Sequence, residues 1–389
     1  MVLARQESLS GGIEPNLGRT YQCACGKPIF FRNSICLSCK RPLGYEPQLG
    51  AVHPLTAASQ AGSWSISGQE KLYARCADLD TPATCNWLVP AEERDSGKTL
   101  CISCRLNRTI PDLSVPGNDE YWQRIELAKR KLVASLLALG FPVVSRVSED
   151  PERGLAFDFL HTAADEKPVH TGHSDGIITL NIEEADDSIR ERTRAQMHEP
   201  YRTLLGHLRH ETGHYYWDRL IAGSASLPEF RKVFGDESQD YAAALQRHYE
   251  QGAPADWPQH YVSAYASTHP WEDWAETWAH YLHMVDGLDT AASFRLAMDA
   301  VEMPFEGFRL DALTNPKEPN ARGFLKLVNA WGRLTAVLNE MSRSMGLADF
   351  YPFVLSKIAV GKLHFVHTLV NGGFKSADVK SPDKSSNVA

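Results

Sequence analysis

The pentapeptide His210-Glu211-Thr212-Gly213-His214 sets two imidazoles four residues apart with a carboxylate between them. On a helix, positions four apart stand only about 40° from each other, so both rings can reach one ion. A hydrolytic zinc site needs three protein ligands and one position left for water. Glu211 projects beside the pair, where it can take a proton from metal-bound water without being a ligand itself. Such a short motif also arises by chance, so its surroundings must carry part of the case. Leu204, Leu205 and Leu208 supply an apolar stripe, and Gly206 and Gly213 would let another backbone or a substrate approach closely. His207 leaves a His207/His210 pair, or a supporting role for His207, open on spacing alone.

A third ligand has to come from elsewhere. The stretch from Tyr265 to His280 is the most informative, because Pro270 favours a helix start and Glu272 and Glu276 then fall one turn apart. Two like charges at that spacing repel, and in a tryptophan-rich helix they call for a cation or a histidine donor. Read from residues alone, Glu272, Asp273, Glu276 and His280 all remain candidates for the third ligand. Asp218, four residues beyond His214, could accept that ring's free N–H, cap the helix or face solvent.

HExxH followed by Tyr265 and, seven residues later, by Glu272 within Thr268-His-Pro-Trp-Glu272-x-x-x-Glu276 resembles the lethal-factor-type gluzincin zinc peptidases over roughly residues 176–285. The resemblance implies that Glu272 is the third ligand, that Glu276 orients a ligand histidine, and that Tyr265 hydrogen-bonds the tetrahedral oxyanion. Where that family has an Asn before the Trp-Glu pair this chain has His269, which leaves the helix cap open. The run from Leu205 to Asp218, together with a cysteine-rich front end, is similar to a bacterial zinc-binding metallopeptidase family with an N-terminal zinc ribbon. That likeness spans nearly the whole chain and implies an activity without a substrate.

All eight cysteines lie between Cys23 and Cys104. Cys23, Cys25, Cys36 and Cys39 form two tight pairs, as zinc knuckles do when two turns share one tetrahedral ion. Cys76, Cys85, Cys101 and Cys104 make a second group of four. Cys76 and Cys85 are not spaced as a standard turn, so free thiols or a redox pair stay open there. Two closed four-thiolate sites would be structural, and with the catalytic ion they give an expected three Zn2+ per chain.

The elements that must hold these residues follow from length and pattern. At 389 residues two parts are expected. The reading is a double zinc-ribbon module over 1–115, a zincin-like metallopeptidase domain over 116–375 and a polar, disordered tail over 376–389. After a helix over 121–139 come short strands at 155–160 and 176–182, the latter a candidate edge strand for an extended peptide. Helices are then predicted at 185–197, 201–222, 228–234, 238–250, 270–285, 290–300, 320–344 and 356–371, with Pro200 in the first turn of the second. Few strands followed by many helices define a mainly helical α+β fold.

A net charge of −8 makes no strong positive field, which argues against nucleic acid as the main partner, although the ribbons could contact nucleic acid or protein. No apolar run reaches the ~18 residues of a membrane span, and the N-terminus lacks a secretory core, so a cytoplasmic protein with reduced cysteines is expected. The expected activity is hydrolysis of peptide or protein substrates. An adaptor built on an inactive zincin scaffold, or a hydrolase of non-peptide amides, remains open from sequence alone.

Overall fold

The computed structural model describes residues 18–161, 169, 171–196, 201 and 203–372. The expected tail at 376–389 and the expected place of Pro200 lie outside the described residues. The chain divides into two compact units, Met1–Leu208 with Val285–Met303, and Arg209–Met284 with Pro304–Ala389.

The first unit begins with the small hairpin Tyr21–Gln22 and Pro28–Ile29. A five-stranded antiparallel meander follows, running Leu43–Glu46, Ala51–Ala57, Trp64–Ile66, Leu72–Arg75 and Leu88–Pro90. The sequence pattern predicts no strands here. The runs are only three to seven residues long, and the cysteines dominate the local pattern. Leu55, Ile66, Tyr73 and Leu88 form one apolar cluster, while Tyr45 and Trp87 pack at 4.6 Å. Gly44 is obligatory in this core, since a Cβ there would fall 2.4 Å from a Leu88 methyl.

The helix Asn118–Ala138 buries Trp122, Ile125, Leu132, Val133 and Leu136. A four-stranded sheet also belongs to this unit, in the order Gly172–Ser174, Ile177–Asn181, Ala156–Leu160, Asn107–Thr109. Both predicted strands are therefore present, but Ile177–Asn181 is not an edge. It pairs in parallel with Ala156–Leu160 on one side and antiparallel with Gly172–Ser174 on the other, so its main chain is already used.

The helix bearing the histidine motif runs Leu204–Leu220 and starts later than expected. Thr203 caps it, its hydroxyl accepting from the Gly206 N–H at 2.9 Å. The polar helix before it is Asp187–Gln196, capped by the Asp186 carboxylate. Helices Leu227–Phe234, Tyr241–Gln251, Ala321–Ser344 and Lys357–Gly372 match the predicted pattern. The separate helix expected at 290–300 is replaced by a longer one. Pro270–Ser293 is continuous, with buried Leu288 and Ala291 extending its apolar face, and only the short turn Met298–Ala300 follows.

In the second unit, fully buried Trp274 and Trp278 pack with Tyr216, Phe230, Phe234 and Phe365. Gly213 shows why the motif helix tolerates a glycine. A Cβ there would lie 2.9 Å from the Ala275 Cα, and the Gly213 carbonyl accepts a 2.8 Å bond from the Trp274 indole N–H. The close approach of two helix backbones sets the distance between the motif and the Glu-bearing helix.

Candidate metal centre

His210 and His214 lie one turn apart on Leu204–Leu220, and Glu272 stands in the first turn of Pro270–Ser293. All three are buried, and one potential ligand atom from each lies within 4.8 Å of the others. The Glu272 Oε2 atom is 3.0 Å from His210 Nε2 and 3.5 Å from His214 Nε2. On its other edge the His210 ring meets Glu276, with Nδ1 to Oε1 at 2.8 Å, and the Ser263 hydroxyl donates to Glu276 Oε2 at 2.5 Å. The Trp271 ring packs on His214 at 3.9 Å between centroids.

The electrostatics follow from burial and pairing. Burial alone would pull the His210 pKa down, but hydrogen bonds and charge from Glu272 and Glu276 together hold it well above the usual histidine value. Burial likewise opposes ionisation of Glu272, yet His214 and His210 keep its carboxyl far below the usual range. Glu276 is also pulled down, to about 2, with burial opposed chiefly by the His210 bond. Two carboxylates thus stay charged in a buried site because positive charge stands between them, which a protonated His210 or a bound metal ion can supply.

The donor set fits zinc on a further ground. When Glu276 accepts from the His210 Nδ1–H, the lone pair of that ring is on Nε2, aimed at Glu272 Oε2. Two acceptors 3.0 Å apart repel unless a cation or a proton sits between them. Two imidazoles and one carboxylate are also the ligand types of known hydrolytic zinc sites.

Several of the other sequence candidates have partners of their own. Asp273 accepts from the Lys362 ammonium at 2.6 Å; burial pushes its pKa up, to about 7, against the pull of Lys362. His280 is 2.6 Å from the Tyr351 hydroxyl, and burial drops it to about 4. His207 pairs with Glu184 at 2.7 Å. Asp218 is exposed, one turn beyond His214. Glu211 is buried, only 4% exposed.

Tyr265 lies 6.0 Å from His210 between ring centroids. Burial first, then the Glu272 charge, raises its pKa well above the ordinary phenol value, so it keeps its proton. His269 resolves the open cap. Its Nδ1 accepts from the Trp271 N–H at 3.1 Å and its Nε2 bonds the Gln239 carbonyl at 3.1 Å, so an imidazole does the work of the expected Asn. One residue escaped the sequence reading altogether. The Tyr241 hydroxyl donates to Glu272 Oε1 at 2.7 Å, and no motif spacing could signal a contact across 31 positions.

The cysteines gather as two separate fours. In the first, Cys23 and Cys39 are 3.6 Å apart and Cys25 and Cys36 3.7 Å, too far for a disulfide. Cys25 and Cys39 are exposed, whereas Cys76, Cys85, Cys101 and Cys104 are all buried. Arg130, itself buried, stands close enough to the second four for their thiols to raise its pKa, although burial opposes this. Among the described residues no helix is long and apolar enough to cross a membrane.

Residues 118–369 match the family described as "Putative zinc-binding metallo-peptidase", and residues 20–115 match a zinc-ribbon domain family. Proteins of Mycobacterium bovis and of two strains of Mycobacterium tuberculosis, each named only as uncharacterized, are 44% identical over 356 residues. Those alignments cover 91% of this chain and 95% of each relative. No solved structure matches.

Proposed function

The chain belongs to the zinc-binding metallopeptidase family matched over residues 118–369, and from that premise we propose that it hydrolyses peptide bonds, with His210, His214 and Glu272 as zinc ligands and Glu211 as general base. The observation that carries this reading is the convergence of two imidazole Nε2 atoms on one buried carboxylate oxygen. Glu276 orients His210 from behind through the Nδ1 contact.

A zinc ion held by His210, His214 and Glu272 would supply Lewis acidity, making water a stronger acid and the scissile carbonyl more electrophilic. Glu211 takes the proton of the attacking water and passes it to the leaving amine. Tyr265, which keeps its proton at neutral pH, offers it as a hydrogen bond to the oxyanion. The two groups of four cysteines hold structural zinc, because four thiolates leave no corner for water.

Metal analysis tests the assignment directly. Purified protein is expected to contain three zinc ions per chain, and His210→Ala or His214→Ala two. A count of two in the intact protein, unchanged by either substitution, would remove the catalytic centre while leaving both cysteine sites standing.

A further inference from the structure

The two oxygens of Glu272 are chemically unlike. Oε2 faces both imidazoles, while Oε1 accepts the Tyr241 hydroxyl at 2.7 Å. Carboxylates bind metal ions through one oxygen or two, and at a hydrolytic zinc site the second oxygen would compete for the position water needs. We infer that Tyr241 is a positioning residue that ties up Glu272 Oε1, so that the carboxylate offers a single oxygen and one coordination position stays available to water. The inference rests on the metal-centre reading above and adds a residue that acts through a ligand.

Tyr241 is held in a manner suited to that task. It opens the helix Tyr241–Gln251, whose cap is the Asp240 carboxylate accepting from the Ala243 N–H at 3.0 Å. Its ring stands edge-on to His269 at 5.4 Å and to Trp271 at 5.8 Å, the residues that begin the Glu-bearing helix. The His269 bond to the Gln239 carbonyl ties the two segments together again two residues earlier. The phenol therefore cannot drift from Glu272 without breaking a cap and two ring contacts. A phenol keeps its proton at neutral pH, so the hydroxyl that lies 2.7 Å from Glu272 Oε1 is a donor there. A donor on the outer oxygen also withdraws charge from the ligand and leaves the ion a stronger Lewis acid.

The experiment uses the full-length protein with cobalt(II) exchanged into the catalytic position. The cysteine contribution is removed by subtracting the spectrum of His210→Ala treated in the same way. Tyr241→Phe is expected to lower kcat by about 10- to 100-fold with KM little changed. It should also weaken the cobalt d–d absorption, as expected when a second carboxylate oxygen raises the coordination number. Metal affinity should be retained, because a two-oxygen ligand holds the ion at least as well. An unchanged cobalt spectrum in a folded Tyr241→Phe protein would overturn the inference, whether kcat holds or affinity falls. If the parent protein takes up no cobalt beyond His210→Ala, the metal-centre reading itself fails, an outcome distinct from failure of the Tyr241 role.

Discussion

Glu211→Gln is expected to lower metal-dependent peptide cleavage by about 100- to 10,000-fold while the protein keeps three zinc ions per chain. The amide has the shape of the carboxylate but cannot accept a proton at neutral pH, so a base is removed without opening a cavity. Glu211 sits on the motif helix between His210 and His214 but outside the group of three potential ligands, which is why metal content should not follow activity. Its negative charge adds to the raised pKa of both Tyr241 and Tyr265, behind burial and Glu272, so it lies near the two phenols that border the site. The check is paired: cleavage of a mixed fluorogenic peptide library, and zinc by atomic absorption on the same preparation. Activity within a few fold of the parent would end the general-base role, and loss of zinc would make Glu211 a ligand.

The second large effect concerns the helix that delivers Glu272. Lys362→Met is expected to destabilise the unit by about 3–5 kcal/mol, because it leaves the Asp273 carboxylate buried without its cation. The Lys362 ammonium donates to Asp273 at 2.6 Å and to the His260 carbonyl at 2.7 Å, and lies 4.1 Å above the Tyr261 ring. Both side chains are almost fully buried, at 5% and 1% exposure, so water cannot replace the lost partner. Adding Asp273→Leu to Lys362→Met should restore most of the loss, since an apolar pair in place of a buried ion pair is often neutral. Urea unfolding followed by tryptophan fluorescence reads both variants, as Trp271, Trp274 and Trp278 lie on the affected helix. A single variant as stable as the parent, or a double variant no better than the single, would contradict this account.

How far the sequence revealed the site depended on how each residue reaches it. His210, Glu211 and His214 are set by one helix, so a four-residue spacing was enough to bring them together. Glu272 and Glu276 share a second helix, and their spacing set them one turn apart while leaving Asp273 and His280 as rivals for the third ligand. Which helix face meets the motif, however, depends on Gly213 lying against Ala275, a contact no local pattern encodes. Tyr241 stayed invisible for the same reason: its hydroxyl matters only once its helix lies against Glu272. The long helices were legible from 3.6-residue periodicity, although Pro270–Ser293 was expected as two pieces, and the burial of Leu288 and Ala291 carries it through as one. The meander Leu43–Pro90 was missed because short strands beside cysteine turns give too few alternations to count. Whether Ile177–Asn181 lies at an edge or inside its sheet stayed open in the sequence, because strand order depends on which segments pair, and Gly172–Ser174 is too short to announce itself.

The unequal burial of the two cysteine groups divides the chain's chemical endurance. Cys25 and Cys39 present sulfur to solvent, whereas the four around Cys76 are sealed with Arg130 beside them. Peroxide or a mild chelator reaches Cys25 and Cys39 of the first four directly but must wait for local unfolding to reach the second group. As an oxidant is titrated in, the amino-terminal knuckle should therefore surrender its ion first, while the inner thiolates keep theirs until the surrounding sheet opens.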